Sequence, residues 1–232
     1  MDRDFQLRTI ALQAFYAHES PLEDNPSCIV TGCRNNATYD CQDCDAPGLY
    51  CKECLLKEHQ FRPFHRVHEW NGEHLVTRTL MALGLIVHIG HSGQPCIHLD
   101  DSGGPQVLTI MDVNGVHEVR IAWCRCFNAM SFAEQLLSRK LFPASIVKPR
   151  TAFTFRALKL FHMVHHVGRT TPWDFAGTMH RLTDNVDPAS VPVSQIYVPR
   201  VLSYIHAILC LSIHLFRIFI NPFDMFSDNG VS

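Results

Sequence analysis

Motifs that bind nucleotides or activate a serine nucleophile are lacking in this 232-residue sequence. It contains no GxGxxG loop, no P-loop and no serine nucleophile elbow, which argues against dinucleotide-dependent, nucleotide-hydrolysing and serine-hydrolase chemistry. Internal repeats and low-complexity blocks are also lacking, so a repeat array is not expected. With 47% apolar residues, the chain can bury a core as one or two small domains.

A secretory signal is lacking as well. The first ten residues, MDRDFQLRTI, place Asp2 and Asp4 where such a signal carries positive charge followed by an apolar run. Intracellular compartments keep thiols reduced, so the ten cysteines and fifteen histidines favour metal binding over disulfides. Cys210, isolated in an apolar stretch, is interpreted as a buried small hydrophobe.

Three closely spaced cysteine pairs and two histidines form the main constellation. Eight such ligands suffice for two tetrahedral zinc ions, and a site closed by four protein ligands has no open position for water. The intervals between the pairs are short, so ligation by alternate pairs would interlock the two sites into one body. This predicts one zinc site at Cys28, Cys33, Cys51 and Cys54, and a second at Cys41, Cys44, His59 and His65.

The order of these ligands resembles that of the B-box zinc finger. It departs from the B-box pattern between Cys28 and Cys33, where four residues stand instead of two. His68, three residues after His65 in PFHRVHEW, is an alternative last ligand.

A second, looser group of cysteines and histidines follows. Cys124 and Cys126 are separated by one residue, which would place both thiols on one face of a strand and would strain a disulfide between them. With Cys96 and one of His91 or His117, they would complete a third zinc site. The alternative is a hairpin with reduced, buried cysteines.

The pattern of apolar residues and turn signals predicts an α+β chain in five parts. These are an N-terminal helix in residues 1–24, the B-box-like double zinc finger in 25–72, a helix plus β-hairpin with the second Cys/His cluster in 73–130, a helical segment in 131–190, and an apolar tail in 191–232.

Capping and turn residues give these parts more detail. The first predicted helix covers residues 4–18, and a short one covers 74–84 and ends at Gly84. LIVHIG reads as a strand, and a hairpin turns at Asn114 and Gly115. In the helical segment, one helix covers 131–141, another runs from an N-cap at Thr151 to about His166, and a third runs from Thr171 and Pro172 to Leu182.

A series of motifs carries a family resemblance. From Cys28 onward these are YDCQDC, YCKECLLKEH, PFHRVHEWNGEHL, LMALGL, the GHxGxxC of residues 90–96, NGVHEVRIAWCRC, QLLSRKLFPAS, KPRTAFTFRALKLFH and WDFAGTMHRLTDN. Over residues 25–187 the sequence resembles the CxC-type (second type) cysteine-cluster domain associated with KDZ (Kyakuja/Dileera/Zisupton) transposases.

The resemblance implies a transposase origin without transposase activity. In that family the domain precedes a longer RNase-H-like catalytic region with acidic metal ligands, and this sequence has no such region. The ligands that the resemblance carries over are the eight of the first constellation, followed by His91, Cys96, His117, Cys124 and Cys126.

The apolar run VLSYIHAILCLSIHLFRIFI falls beyond the resemblance. Twenty residues could span a membrane, but His206, His214 and Arg217 would be costly in lipid. The run is therefore interpreted as a non-native tail, and a membrane association is not expected.

Charge is distributed unevenly, although the formal net charge is only −2. Acidic residues outnumber basic ones by 12 to 7 over residues 1–75, and basic outnumber acidic by 8 to 4 over 131–190. Since DNA affinity depends on neutralising phosphates, the finger is a poor DNA binder. Arg150, Arg156 and Lys159 are the nucleic-acid candidates, although such charges more often form a solvated helix face.

The sequence thus predicts a non-catalytic, nuclear module with two zinc ions, or three if the second group binds metal. Its finger is expected to contact protein, and residues 131–190 to contact DNA if any part does. No small-molecule substrate is expected. The alternative is an accessory B-box-type domain of a ubiquitin ligase or regulatory protein, but a ligase would need a further zinc domain ahead of Cys28.

Overall fold

The computed structural model describes residues 3–17, 26–46, 48–97, 104–191 and 201–203. The chain divides into two compact units, Met1–Val87 and His88–Ser232. Helices and strands occur in both, which confirms the α+β prediction. The unit boundary therefore differs from the predicted boundary at residue 72, which falls inside a β-hairpin of the first unit.

The first unit is organised around a small antiparallel sheet. Strands β1 (Tyr39–Cys41), β2 (Val67–Trp70) and β3 (Leu75–Arg78) lie in this order, and helix α2 (Lys52–Glu58) lies between β1 and β2 in the chain. Few large apolar side chains are buried beside the sheet, and these include Leu55 and Val67 at 0% exposure. So small a core is typical of a fold that depends on bound metal.

Helix α3 (Leu80–Leu83) is shorter than the predicted helix over 74–84. It ends at Gly84 as predicted, because this glycine adopts the left-handed conformation, with a φ of 107°, that terminates helices. It begins six residues late, because residues 75–78 pair with β2 as a strand instead. Thr79 caps the helix by accepting a hydrogen bond from the backbone N–H of Ala82.

The N-terminal helix α1 (Arg3–Ala17) is present where the sequence predicts a helix. The side chains described along it, residues 5–16, are all exposed. Its apolar residues therefore add nothing to the core of the first unit in the described part of the chain.

A mixed five-stranded sheet lies mostly in the second unit, and its first strand crosses the boundary at residue 87. In chain order its strands are β4 (Ile86–His88), β5 (Gln106–Asp112), β6 (Gly115–Ala122), β7 (Leu141–Pro143) and β8 (Thr151–Thr154), and in space the order is β4-β6-β5-β8-β7. The β5–β6 hairpin turns at Asn114 as predicted, and Gly115 has a φ of 138°. Strand β8 pairs with β5 in parallel and with β7 in antiparallel orientation.

The second unit also contains the helices α4 (Phe132–Ser138), α5 (Phe155–Gly168) and α6 (Pro172–Thr183). Capping boxes at Ser131 and Thr171 start α4 and α6. Phe161 of α5 and Phe175 and Met179 of α6 join Met111 and Phe153 of the sheet in one core.

The predicted helical segment 131–190 therefore needs a correction, since it also contains two strands. Residues 151–154 form β8, and its pairing with β5 and β7 extends the backbone there. The N-cap of α5 is consequently Thr154 rather than Thr151. The hydroxyl of Thr154 accepts a hydrogen bond from the backbone N–H of Ala157.

The predicted tail begins inside the folded unit. Val191 and Leu202, at 7% and 0% exposure, belong to the core formed by α5, α6 and the sheet. The rest of the apolar run, including Cys210, lies outside the described residues. Within the described ranges, no helix combines the length and the apolar character needed to cross a membrane.

Candidate metal centres

Site one joins two cysteine pairs of the first unit. Cys28, Cys33, Cys51 and Cys54 converge as the alternate-pair scheme predicts. The four-residue gap after Cys28 is closed by a turn in which the N–H of Cys33 donates to the carbonyl of Val30. Gly32 in this turn has a φ of 84°, a conformation that favours glycine.

Hydrogen bonding sets the thiol pKa values at site one. The hydrogen bond to Cys51 and then burial raise the pKa of Cys54 to about 12. Burial also acts to raise the pKa of Cys51, but hydrogen bonds involving Cys54, Cys28 and Cys33 outweigh it, so its pKa is lowered to about 7. Cys51 therefore ionises more readily than Cys54, and a bound cation would favour the thiolate form of the ligands.

Site two gathers Cys41, Cys44, His59 and His65. The Nε2 atom of His59 lies 3.2 Å from the sulfur of Cys41 and 3.4 Å from that of Cys44. The Nδ1 atom of His65 lies 3.5 and 3.3 Å from the same two sulfurs. Two sulfurs and two imidazole nitrogens thus face a common point.

Neighbouring groups prepare these side chains for metal binding. Nδ1–H of His59 donates to the carbonyl of Leu55 at 2.8 Å, which leaves Nε2 as the nitrogen with a lone pair. Burial lowers the pKa of His59, which favours the neutral imidazole that binds metals. Asp43, beside Cys44, accepts bonds from the backbone N–H and the guanidinium of Arg66, and this ties the loop of His65 to the cysteine pair.

The structure distinguishes His65 from its alternative, His68. His68 lies in the middle strand β2, opposite Asp40 and Thr77. Its neighbour Val67 is fully buried on the core side of the sheet, so the alternation of the strand turns His68 away from site two. His65 precedes the strand and reaches the sulfurs.

Site three lies in the second unit and contains His91, Cys96, Cys124 and Cys126. The Nε2 atom of His91 lies 3.3 Å from the sulfur of Cys124 and 3.4 Å from that of Cys126. The sulfurs of Cys96 and Cys126 are 3.9 Å apart. The second group of the sequence therefore includes a four-ligand cluster and is more than a hairpin with buried cysteines.

His117 is the predicted ligand that the structure places elsewhere. It lies within β6, opposite Ile110, and its Nε2 atom is 2.8 Å from Oδ1 of Asn114 in the hairpin turn. The chain also leaves β6 at Ala122, so Cys124 and Cys126 stand in the loop after the strand rather than on one of its faces. His91 therefore completes the cluster instead of His117.

Backbone features around site three were not evident from the sequence. His91 and Ser92 have φ values of 50° and 55°, a conformation that is costly for residues other than glycine and often marks functional sites. A Cβ atom at Gly90 would lie 2.5 Å from the Cβ of Cys124, so only glycine fits there without displacement. Gln135 of α4 bonds the backbone of Cys124.

The spacing of the ligand atoms fits a tetrahedral ion. With a typical zinc–sulfur distance of about 2.3 Å and zinc–nitrogen distance of about 2.0 Å, ligand sulfurs stand about 3.8 Å apart and sulfur and nitrogen about 3.5 Å apart. The sulfurs of Cys33 and Cys51 are 3.8 Å apart at site one. In each cluster, the four ligand atoms lie within 4.8 Å of one another.

The nucleic-acid candidates occupy different environments. Arg150, Arg156 and Lys159 are all exposed, but only Arg156 has a buried ion-pair partner. Arg156 forms a bidentate ion pair with Asp112, whose side chain is completely buried. The Asp112 carboxylate also accepts a hydrogen bond from the Thr154 hydroxyl. The guanidinium of Arg156 thus neutralises a buried carboxylate and is less suited to a phosphate than the other two.

Comparison with known families concerns mainly the second unit. Residues 80–187 match the family described as a CxC2-like cysteine cluster associated with KDZ transposases. The match includes site three and all of α4, α5 and α6, whereas sites one and two precede it. Searches among curated proteins and among solved structures found no match. The predicted resemblance is confirmed over this range: residues 80–187 match a CxC2-like cysteine cluster domain associated with KDZ transposases.

Proposed function

We propose that the chain is a non-catalytic, zinc-organised module of a transposase-like protein that recruits a protein partner in the nucleus. The observation that carries the proposal is the number of ligands at each centre. All three clusters offer four protein ligands. An ion closed by four protein ligands has no open position for water or substrate, in contrast to the three-ligand sites of zinc enzymes.

The chemistry of the ligands favours zinc over other metals. Thiolates and imidazoles are soft or intermediate donors, and a tetrahedral arrangement of sulfur and nitrogen is typical of structural zinc. With nine cysteines and three histidines, the three sites contain no carboxylate, which magnesium and calcium would require.

The charge of residues 1–75, which include the finger at 25–72, favours protein over DNA as the partner. Residues 1–75 carry five more acidic than basic residues. Four thiolates around Zn²⁺ at site one would add two negative charges. A surface with this charge repels the phosphate backbone.

Aromatic residues beside site two supply plausible anchors for a partner. Phe61, between the ligands His59 and His65, is 61% exposed. Phe64 and Trp70 are partly buried nearby in the sequence. Exposed aromatic side chains on a rigid support are frequent hot spots of protein interfaces.

DNA binding through residues 131–190 is the competing function. Exposed Arg150 and Lys159 and the local excess of basic residues favour it. The pairing of Arg156 with Asp112 weighs against it, because that guanidinium is already engaged.

A binding assay with the zinc-loaded full chain separates the two functions. If the module recruits protein, the chain should not retard duplex DNA in a salt-sensitive manner near physiological ionic strength. Phe61→Ala should abolish co-purification of the partner with all metal retained, whereas Phe127→Ala, at an exposed aromatic residue of the second unit, should not.

DNA binding would give the opposite pattern. Affinity for duplex DNA would fall steeply between about 50 and 200 mM salt. The double variant Arg150→Ala, Lys159→Ala would weaken binding for all DNA sequences alike, as the loss of phosphate contacts does. That outcome would replace protein recruitment as the proposed function of the chain.

A further inference from the structure

Gln135 is a buried polar side chain, and metal binding does not require it as a ligand. It lies on α4 with 2% of its surface exposed. A buried amide is costly unless its hydrogen bonds are made. The partners of Gln135 therefore indicate why this residue stands inside the second unit.

Among the described residues, the partners of the Gln135 amide are backbone groups of the loop that carries Cys124 and Cys126. Its Oε1 atom accepts from the N–H of Cys124 at 2.9 Å. Its Nε2 atom donates to the carbonyl of Cys124 at 3.1 Å and to that of Met130 at 2.7 Å. One side chain thus binds both the donor and the acceptor of the ligand's own peptide backbone.

The position of this contact gives it a role in the metal centre. Strand β6 ends at Ala122, so Cys124 lies beyond its last ladder pair. The Gln135 amide supplies to Cys124 the two bonds that a neighbouring strand would supply. Gly90 contacts Cys124 from another side and leaves no room for a Cβ atom.

We infer that Gln135 is a positioning residue of site three, which fixes the backbone of Cys124 before the metal binds. The inference rests on the proposed metal occupancy of that site. A preorganised ligand loses less conformational freedom when the ion binds, so the affinity for the third ion rises. The amide can accept from one backbone N–H and donate to two carbonyl oxygens. An ionised carboxylate at this position could not donate to either carbonyl oxygen.

Competition with a chromophoric zinc chelator measures this role in the full chain. Gln135→Met keeps the volume and removes all three hydrogen bonds. Second-shell changes typically weaken metal binding about 10- to 100-fold, and this is the loss expected for the third ion alone. Gln94→Met is the matched control, because Gln94 is exposed in the loop between His91 and Cys96, and it should leave the affinity unchanged.

Cobalt substitution supplies a readout that a merely structural role would not change. In Gln135→Met, the visible spectrum of cobalt at site three should shift, while the contributions of sites one and two stay as in the wild type. Unchanged affinity for a third ion that the wild type does bind would overturn the positioning role only. A wild type that binds just two ions would overturn both this role and the third proposed site.

Hydrogen exchange covers the case in which Gln135→Met does not fold. In Cys126→Ser, which removes one ligand of site three and leaves Gln135 intact, the amide of Cys124 should remain protected from exchange. The opposite outcome is rapid exchange of the Cys124 amide, as in an unprotected loop, while the other amides of the second unit stay protected. It would show that the metal, and not Gln135, holds Cys124 in place.

Discussion

Single residues decide whether the four ligands of each metal centre can converge on one ion. The ligands themselves were predictable, because paired cysteines at short intervals leave few alternatives. The residues that hold these ligands in place were not predictable from the sequence. Gln135 lies in the segment AEQLL, whose pattern is typical of an amphipathic helix. This pattern does not predict that the Gln135 side chain is buried. His117 was an alternative to His91 in the sequence, because a histidine near a CxC pair fits equally well until the strand register is known.

Gly90→Ala tests the close approach of backbone and ligand at site three. The new methyl group would lie 2.5 Å from the Cβ of Cys124, so the cysteine must move. We expect the third ion to be lost or bound at least about tenfold more weakly, with the first two retained, as measured by metal analysis after dialysis against a weak chelator.

A second alanine provides the control for this substitution. A Cβ at Gly177 of α6 would meet no atom within 4 Å. Gly177→Ala should therefore keep all three ions and stabilise the helix by up to about 1 kcal/mol. Equal metal loss in the two variants would mean that the close contact between Gly90 and Cys124 does not determine the binding of the third ion.

At the scale of elements, sequence patterns identified the hairpin and α6 well, because Asn114-Gly115 and Thr171-Pro172 are strong local signals. They failed where the ends of predicted helices pair as strands. Residues 75–78 and 151–154 were assigned to helices, but residues 75–78 pair with β2 and residues 151–154 pair with β5. The cap of α5 moved to Thr154 for the same reason.

Thr154→Val tests the junction between β8 and α5. The Thr154 hydroxyl accepts from Ala157 and donates to buried Asp112 at 2.6 Å. Valine removes both bonds at nearly constant volume, so we expect the free energy of unfolding of the metal-loaded chain to fall by about 1–3 kcal/mol in urea titrations. Thr178→Val, at an exposed position of α6, should change it by less than about 0.5 kcal/mol. Similar losses at the two positions would contradict this role of Thr154.

His180 of α6 makes the second unit sensitive to acid. It is 3% exposed, its Nε2 atom has no hydrogen-bond partner among the described residues, and burial lowers its pKa. Above pH about 6.5 the histidine is neutral in the folded and unfolded states. As the pH falls below that value the unfolded chain gains a proton first, so the free energy of unfolding decreases, at most by about 1.4 kcal/mol per pH unit for one group.

Comparison of the wild type with His180→Leu isolates this effect. Both proteins release metal at low pH, so the difference between their stability profiles from pH 7.5 to 5.5 reports on His180. The variant should lose less stability than the wild type over this range. Parallel profiles would show that His180 does not contribute.

At the scale of the whole molecule, the sequence predicted the CxC2-like resemblance and the α+β class, whereas the boundary drawn at residue 72 differs from the division at residue 87. The boundary was drawn where the cysteine spacing changes, at residue 72, whereas β3 and α3 pack with the finger and move it to residue 87. The buried Leu202 extends the second unit beyond the last matched residue, 187. Apolar composition alone could not separate a packed segment from a tail.

The number of ions bound by the purified full chain tests the central claim most directly. Native mass spectrometry, with metal analysis to identify the ion, should show three zinc ions per chain, and their removal should unfold the first unit, whose apolar core is too small to persist alone. A metal-free monomer that remains folded in the first unit would contradict the account.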